Sequence, residues 1–91
     1  ELHRLRGELL SIRQAPASDI EHCFELARSI ARQQKAKTLE LRATVSQARF
    51  WQQQGQTNAA RQQLTGIYAW FTEGFDTPDM KEAKALLDSL G

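Results

Sequence analysis

Apolar residues recur along this chain at intervals of three and four, and nowhere do they alternate with polar residues over a strand's length. That periodicity puts them on one face of a helix and leaves no segment patterned as a half-buried strand. Five such stretches occur, separated by residues that stop helices. In the first, Leu2, Leu5, Leu9 and Ile12 form the stripe expected to face a core, and Pro16 with its polar neighbours ends it. The second places Ile20, Cys23, Phe24, Ala27, Ile30 and Ala31 on one face. Asp19, or Ser18 before it, is expected to cap that helix by accepting from a free backbone N–H. The third runs from about Lys37 to Gln54, with Leu41, Val45, Ala48 and Trp51 as one seam and Leu39, Ala43 and Phe50 beside it. So broad an apolar surface predicts contacts on two sides. Gly55 stops this helix, because glycine enters the left-handed region at little cost. The fourth, about Thr57 to Thr72, aligns Ala60, Leu64, Ile67, Tyr68 and Phe71; Gly74 follows, and Phe75 can fold back onto Trp70. Thr77-Pro78-Asp79 then spells a helix start: a capping hydroxyl, a proline at the first helical position and a carboxylate at the positive end. Ala83, Leu86, Leu87 and Leu90 supply the last apolar face.

The expected fold is therefore all-α and a single domain over residues 1–91. Two helical hairpins, 1–35 and 37–73, stack side by side, and a helix at 77–90 covers the open flank of the second. A chain of this length buries only about 60–65% of its unfolded surface. Such a core does not readily hold both a hydrophobic interior and a deep catalytic cleft. Twelve basic and eleven acidic side chains leave a net charge of +1, so no global field draws the chain to nucleic acid or a membrane. The charge is nonetheless uneven. Arg28, Arg32, Lys35, Lys37, Arg42, Arg49 and Arg61 share residues 26–61 with one acid, Glu40, whereas residues 71–91 hold Glu73, Asp76, Asp79, Glu82 and Asp88 against two lysines. This marks either a polar binding surface or complementary packing between neighbouring helices. The lone Cys23 excludes an internal disulfide framework and fits a reducing compartment. No apolar run approaches the roughly 18 residues a membrane span needs. The chain opens at Glu1 inside an amphipathic pattern, which reads as a piece cut from a longer cytoplasmic polypeptide.

The two hairpins resemble one another. Gly7 and Ala48 take the small-residue place of the first helices, and Leu10 and Trp51 follow each by three residues. Phe24 and Ala27 serve the earlier second helix, and Ala60 the later one. Small residues let helices approach closely while aromatics fill the gaps between pairs. Helix pairs so built resemble tetratricopeptide units, which are roughly 34 residues long, and Gln53-Gln54-Gly55 looks like their inter-helix turn. The earlier unit departs from that pattern, with no first-helix tryptophan and a longer turn around Gln14 to Ser18. The resemblance implies a right-handed stack of the two hairpins. A second resemblance lies at the end. The stretch from Tyr68 through Trp70-Phe71-Thr72-Glu73-Gly74-Phe75-Asp76-Thr77-Pro78-Asp79-Met80 to Leu87 is similar to the C-terminus of large bacterial signalling proteins. In these, a class III adenylate/guanylate cyclase or a DNA-binding domain is joined to a central NTPase and a tetratricopeptide tail. Leu2-His3-Arg4-Leu5-Arg6-Gly7-Glu8-Leu9-Leu10 is similar to an earlier part of the same tail. None of that family's cyclase or nucleotide-binding motifs is present, so none of its catalysis carries over.

Chemistry is sparse. The five glycines are scattered, and none builds a phosphate loop. His22 and Cys23 are adjacent, so on a helix they point about 100° apart and serve neither as a metal pair nor as a nucleophile and base. His3 stands alone, and Asp76 and Asp79 flank a helix start that already accounts for them. No enzyme activity, cofactor or metal is expected. Arg49-Phe50-Trp51, Arg61, Tyr68 and Trp70 interleave cations with aromatics as single-strand binders do, but Trp51 and Tyr68 lie on apolar seams and are expected in the core.

In tetratricopeptide arrays the first helices of successive pairs line a groove that holds peptides. The resemblance therefore singles out first-helix residues off the seam: Arg4, Glu8 and Ser11, then Arg42, Arg49 and Gln52. Arginine and glutamine in such a groove can clamp a carboxylate or an extended backbone; the plainer alternative is a solvated face. The function expected is a non-catalytic module that binds a protein or peptide, or the same polypeptide's upstream domains, in a bacterial signalling protein. The alternatives are a purely structural cap of a longer helical solenoid, with self-association as its only contact, and nucleic-acid binding through residues 28–61. Salt-dependent binding to DNA or RNA separates the last from the others.

Overall fold

The computed structural model describes residues 2–71 and 77–90, and among them every regular element is a helix. These are α1 (Leu2–Ile12), α2 (Ala17–Gln33), α3 (Lys37–Gln53), α4 (Thr57–Tyr68) and α5 (Pro78–Leu90). The expected stop at Gly74 and the contact of Phe75 with Trp70 lie outside the described residues.

Three helices end on the same device. Gln14, Lys35 and Gly55 follow α1, α2 and α3 with φ of 57°, 56° and 78°. In each case the next residue's N–H reaches back five places: Ala15 to Leu10 O at 2.9 Å, Ala36 to Ala31 O at 2.8 Å and Gln56 to Trp51 O at 2.8 Å. A left-handed residue thus reverses the chain and satisfies carbonyls the helix leaves open. Pro16 plays a different part from the expected stop, since α1 has already ended. Its carbonyl accepts from Asp19 N at 3.0 Å and Ile20 N at 3.2 Å, starting α2, and neither Ser18 nor Asp19 caps it. Asp19 instead sits in the first turn, at the helix's positive end. Thr77 does cap α5, its hydroxyl accepting from Met80 N at 3.4 Å. α4 ends at Tyr68 rather than Thr72, closing in tighter turns from Trp70 N to Ile67 O and from Phe71 N to Tyr68 O, both 3.1 Å. Trp70 is left half exposed.

α3 packs against all four other helices, with α2 in the angle between α1 and α3, and α4 in that between α3 and α5. The contacts Glu21 to Trp51, Phe24 to Phe50, Arg28 to Gln47 and Arg32 to Glu40 descend one helix while climbing the other, so α2 and α3 are antiparallel. α1, α3 and α5 run in one direction: Arg4 shares a hollow with Leu41 and Arg42 while Ile12 shares one with Phe50 and Gln53, and Asp79 meets Arg42 while Ser89 meets Gln52. The larger core joins Leu41, Val45 and Ala48 of α3 to Ala60, Leu64 and Ile67 of α4 and to Met80, Ala83, Leu86 and Leu90 of α5, with Leu87 and Tyr68 at its margin. A smaller one joins Ile20 and Phe24 to Phe50, the two rings 6.4 Å apart. Trp51 packs against both, and Cys23 is buried as expected.

The stripe of α1 corrects the sequence-based expectation. Leu2, Leu5, Leu9 and Ile12 are exposed, while Gly7 is buried and Leu10 half-buried beside the smaller core. The cause is steric: a Cβ at Gly7 would stand 2.8 Å from the Phe24 ring, so only this side of α1 allows the close approach that α2 requires. Helix propensity alone favours Gly7→Ala by about 1 kcal/mol. Forcing a methyl against a ring that is 1% exposed costs about 1–3 kcal/mol. The variant should therefore lose about 1 kcal/mol in urea denaturation; a gain would mean that α1 is not held by this approach.

Candidate partner-binding face

The common direction of α1, α3 and α5 aligns their polar edges. Arg4 donates to Glu8 Oε1 at 3.2 Å and to Ser46 Oγ at 3.4 Å, and Ser46 Oγ donates to the same Glu8 oxygen at 2.7 Å. Between α3 and α5, Arg42 Nε meets both Asp79 oxygens at 3.1 Å, Arg49 pairs with Glu82, and Gln52 Nε2 reaches Ser89 Oγ at 3.3 Å. Arg4, Arg42, Ser46, Arg49, Asp79 and Glu82 surround an open cavity of about 200 Å³ with Leu41 and Val45 in its wall. Five of the six groove residues read from the sequence, Arg4, Glu8, Arg42, Arg49 and Gln52, therefore fall on this face. Ser11 lies further along it, in a neighbouring hollow beside Glu8 and Arg49.

What the sequence reading did not name is the internal partners. Ser46, Asp79, Glu82 and Ser89 already engage these side chains, and of the uneven charge, Arg42 and Arg49 with Asp79 and Glu82 are complementary packing between α3 and α5. The spacing of Asp79 and Glu82, three apart on one helix face, was the available signal. These pairs are half in water: the Arg42 and Arg49 side chains are 41% and 46% exposed. Exposed pairs of this kind are worth about 0.2–1 kcal/mol.

A second polar group lies on the α2 side. Arg32 donates twice to Glu40 Oε2, at 3.2 and 3.0 Å, and the Thr44 hydroxyl donates to the Glu40 carbonyl at 2.8 Å. Arg28 donates to Gln47 Oε1 at 2.8 Å and to Gln63 Oε1 at 2.7 Å, bridging α2, α3 and α4. Burial first, and then the nearby Arg32, lower the Arg28 pKa from its ordinary value. Arg28 Nε and Gln47 Nε2 are buried without a partner among the described residues. Trp51 Nε1 donates to Glu21 at 2.7 Å, consistent with a core role for that ring.

The cations of residues 28–61 form no single stripe, because Arg28 and Arg32 are engaged on the α2 side and Arg42 and Arg49 on the α5 side. Among the described residues no three His, Cys, Asp or Glu side chains gather as a metal site would require. Among the described residues no helix is long and apolar enough to cross a membrane. No family model, curated protein or solved structure matches the chain.

The two polar groups should differ in energy. A double-mutant cycle on Arg42→Ala and Asp79→Ala should give a coupling of about 0.2–1 kcal/mol. The cycle on Arg28→Ala and Gln47→Ala should give about 1.5–3 kcal/mol, because a charged donor meets an amide that is 0% exposed. Equal or reversed couplings, measured by chemical denaturation, would contradict this ordering.

Proposed function

We propose that the chain is a non-catalytic docking module, a tetratricopeptide-like stack of two hairpins and a closing helix, acting in the cytoplasm within a bacterial signalling protein. It would hold a protein or peptide, or a cyclase or NTPase domain of the same polypeptide, on the face formed by α1, α3 and α5. The observation that supports this most is the convergence of Arg4, Arg42 and Arg49 on one open cavity, each arginine held by an acid that water also reaches. A ligand carboxylate can replace Asp79 or Glu82 at an arginine for little net cost, since the released acid is rehydrated and the pair it leaves was weak. Bidentate capture by arginine then supplies orientation. The cavity is small and the pairs are exchangeable, so binding should be weak, roughly micromolar, and should fall with salt.

A second reading, a terminal cap of a longer solenoid, is favoured by α5. Met80, Ala83, Leu86 and Leu90 are all buried on the second hairpin, as a closing helix requires.

Panning a displayed random peptide library on the chain separates the two. Docking predicts enrichment of carboxylate-bearing peptides whose binding weakens at least about tenfold on Arg42→Ala with Arg49→Ala, at an unchanged helical signal. Equal recovery on the wild-type chain and the double variant would leave the cap as the function.

A further inference from the structure

Four of the most exposed large apolar side chains of the described residues sit on one helix. Leu2 and Ile12 are each 77% exposed, Leu9 57% and Leu5 47%, spaced three, four and three along the outer side of α1. Arg6 and Arg13, seven residues apart, border this stripe on the edge away from Arg4 and Glu8. Both are exposed, and neither makes an ion pair among the described residues. A patch of this kind on a small domain marks an interaction site.

The chain itself contains the covered version of this face. Gly7 abuts Phe24 of its own hairpin, and Ala48 packs with Ala60 and Leu64 of its own. The forty-one residues that separate Gly7 from Ala48 carry Leu2, Leu5 and Leu9 onto Ala43, Ser46 and Phe50, and Arg6 onto Gln47. On α3 those four positions are 1%, 5%, 4% and 0% exposed. The preceding hairpin covers three of them: Phe24 lies against Phe50, Arg28 donates to Gln47, and Glu8 accepts from Ser46.

We infer that the outer face of α1 is the docking surface for the second helix of another hairpin of this repeat type, laid antiparallel across α1 as α2 is laid across α3. Its apolar stripe covers Leu5 and Leu9. Its charge is also specified. Where α2 presents Arg28 to Gln47, the incoming helix meets Arg6, so an acid fits best at that place; a cation there would face a cation. A second copy of this chain fits less well. Antiparallel self-pairing of α1 brings the Arg6 and Arg13 edge against itself. Parallel pairing needs the opposite edge, where Glu8 already accepts from Arg4 and Ser46. This surface is separate from the groove and does not depend on it.

The test supplies such a helix. Residues 1–36 are duplicated ahead of the full chain, with Arg28→Glu in the added copy, and thermal unfolding and hydrogen exchange are followed. Docking predicts one cooperative transition, with a Tm raised by about 5 °C or more over the single chain and slower exchange in the original α1. The gain should shrink when the added copy keeps Arg28. It should vanish when Leu5→Glu and Leu9→Glu are placed in the original α1. Because both leucines are exposed, the single chain carrying those two changes should keep its helicity and Tm, which shows that the lost gain is lost docking. An added hairpin that melts separately, or that protects nothing in α1, overturns the proposal. So does concentration-dependent dimerisation of the single chain that the same leucine changes abolish, which would make a second copy the occupant. Binding of the single chain to anionic phospholipid vesicles, lost on the same changes, would overturn it in favour of a membrane surface.

Discussion

α3 lies among four other helices, and it carries polar groups into that position that are met by partners on its neighbours or in its own backbone, Gln47 through its oxygen alone. Glu40, Thr44, Ser46 and Gln47 are each no more than 5% exposed. Leaving a buried polar group unpaired costs about 1–3 kcal/mol, comparable to a large share of what a small domain has to spare. Glu40 therefore needs Arg32, Ser46 needs Glu8 and Arg4, and Gln47 needs Arg28. These requirements set the registers of α1 and α2 against α3. The C-terminal half is held differently: α4 and α5 bury a ten-residue apolar cluster with α3, against three buried residues in the N-terminal core. The molecule is thus a well-packed C-terminal half to which the first hairpin is attached through the small core of Ile20, Phe24 and Phe50 and a set of polar clasps.

Periodicity and stop signals made the helices legible, because an amphipathic pattern and a Thr-Pro-Asp start are local properties of the chain. Gln14 and Lys35 were not legible as left-handed stops. Nothing in a glutamine or lysine announces that conformation, which costs an L-residue energy that packing must supply. The orientation of α1 was misread for a related reason. Four large apolar side chains define a stripe, but the single atom missing at Gly7 decides which side of the helix meets Phe24. The burial of polar residues inside α3 was also not legible, since nothing in a serine or glutamine marks it as buried until the partners of Ser46 and Gln47 on other helices are known. At the candidate site, the shared face of Arg4, Glu8, Arg42, Arg49 and Gln52 followed from helical spacing within a repeat. The engagement of Arg42 and Arg49 with α5 was legible only as one of two readings of an uneven charge pattern.

The same geometry explains why the two surfaces differ. Helices that alternate in direction leave α1, α3 and α5 parallel, so their polar edges meet and neutralise one another along a shallow groove. On the outer side, each first helix is covered by the hairpin before it, and α1 alone has none among the residues present. A polar groove and the apolar outer face of α1 thus both follow from how these helices pack.

Native-state hydrogen exchange measured helix by helix tests the central role of α3 most directly. If α3 is the element on which the others depend, its amides from Leu41 to Phe50 exchange only through global unfolding, together with the buried turns of α4 and α5. α1, tied by Gly7 against Phe24 and by the clasp at Ser46, opens at a distinctly lower free energy. Exchange in α3 faster than in α2 or α5, or protection of α1 equal to that of α3, would contradict this account.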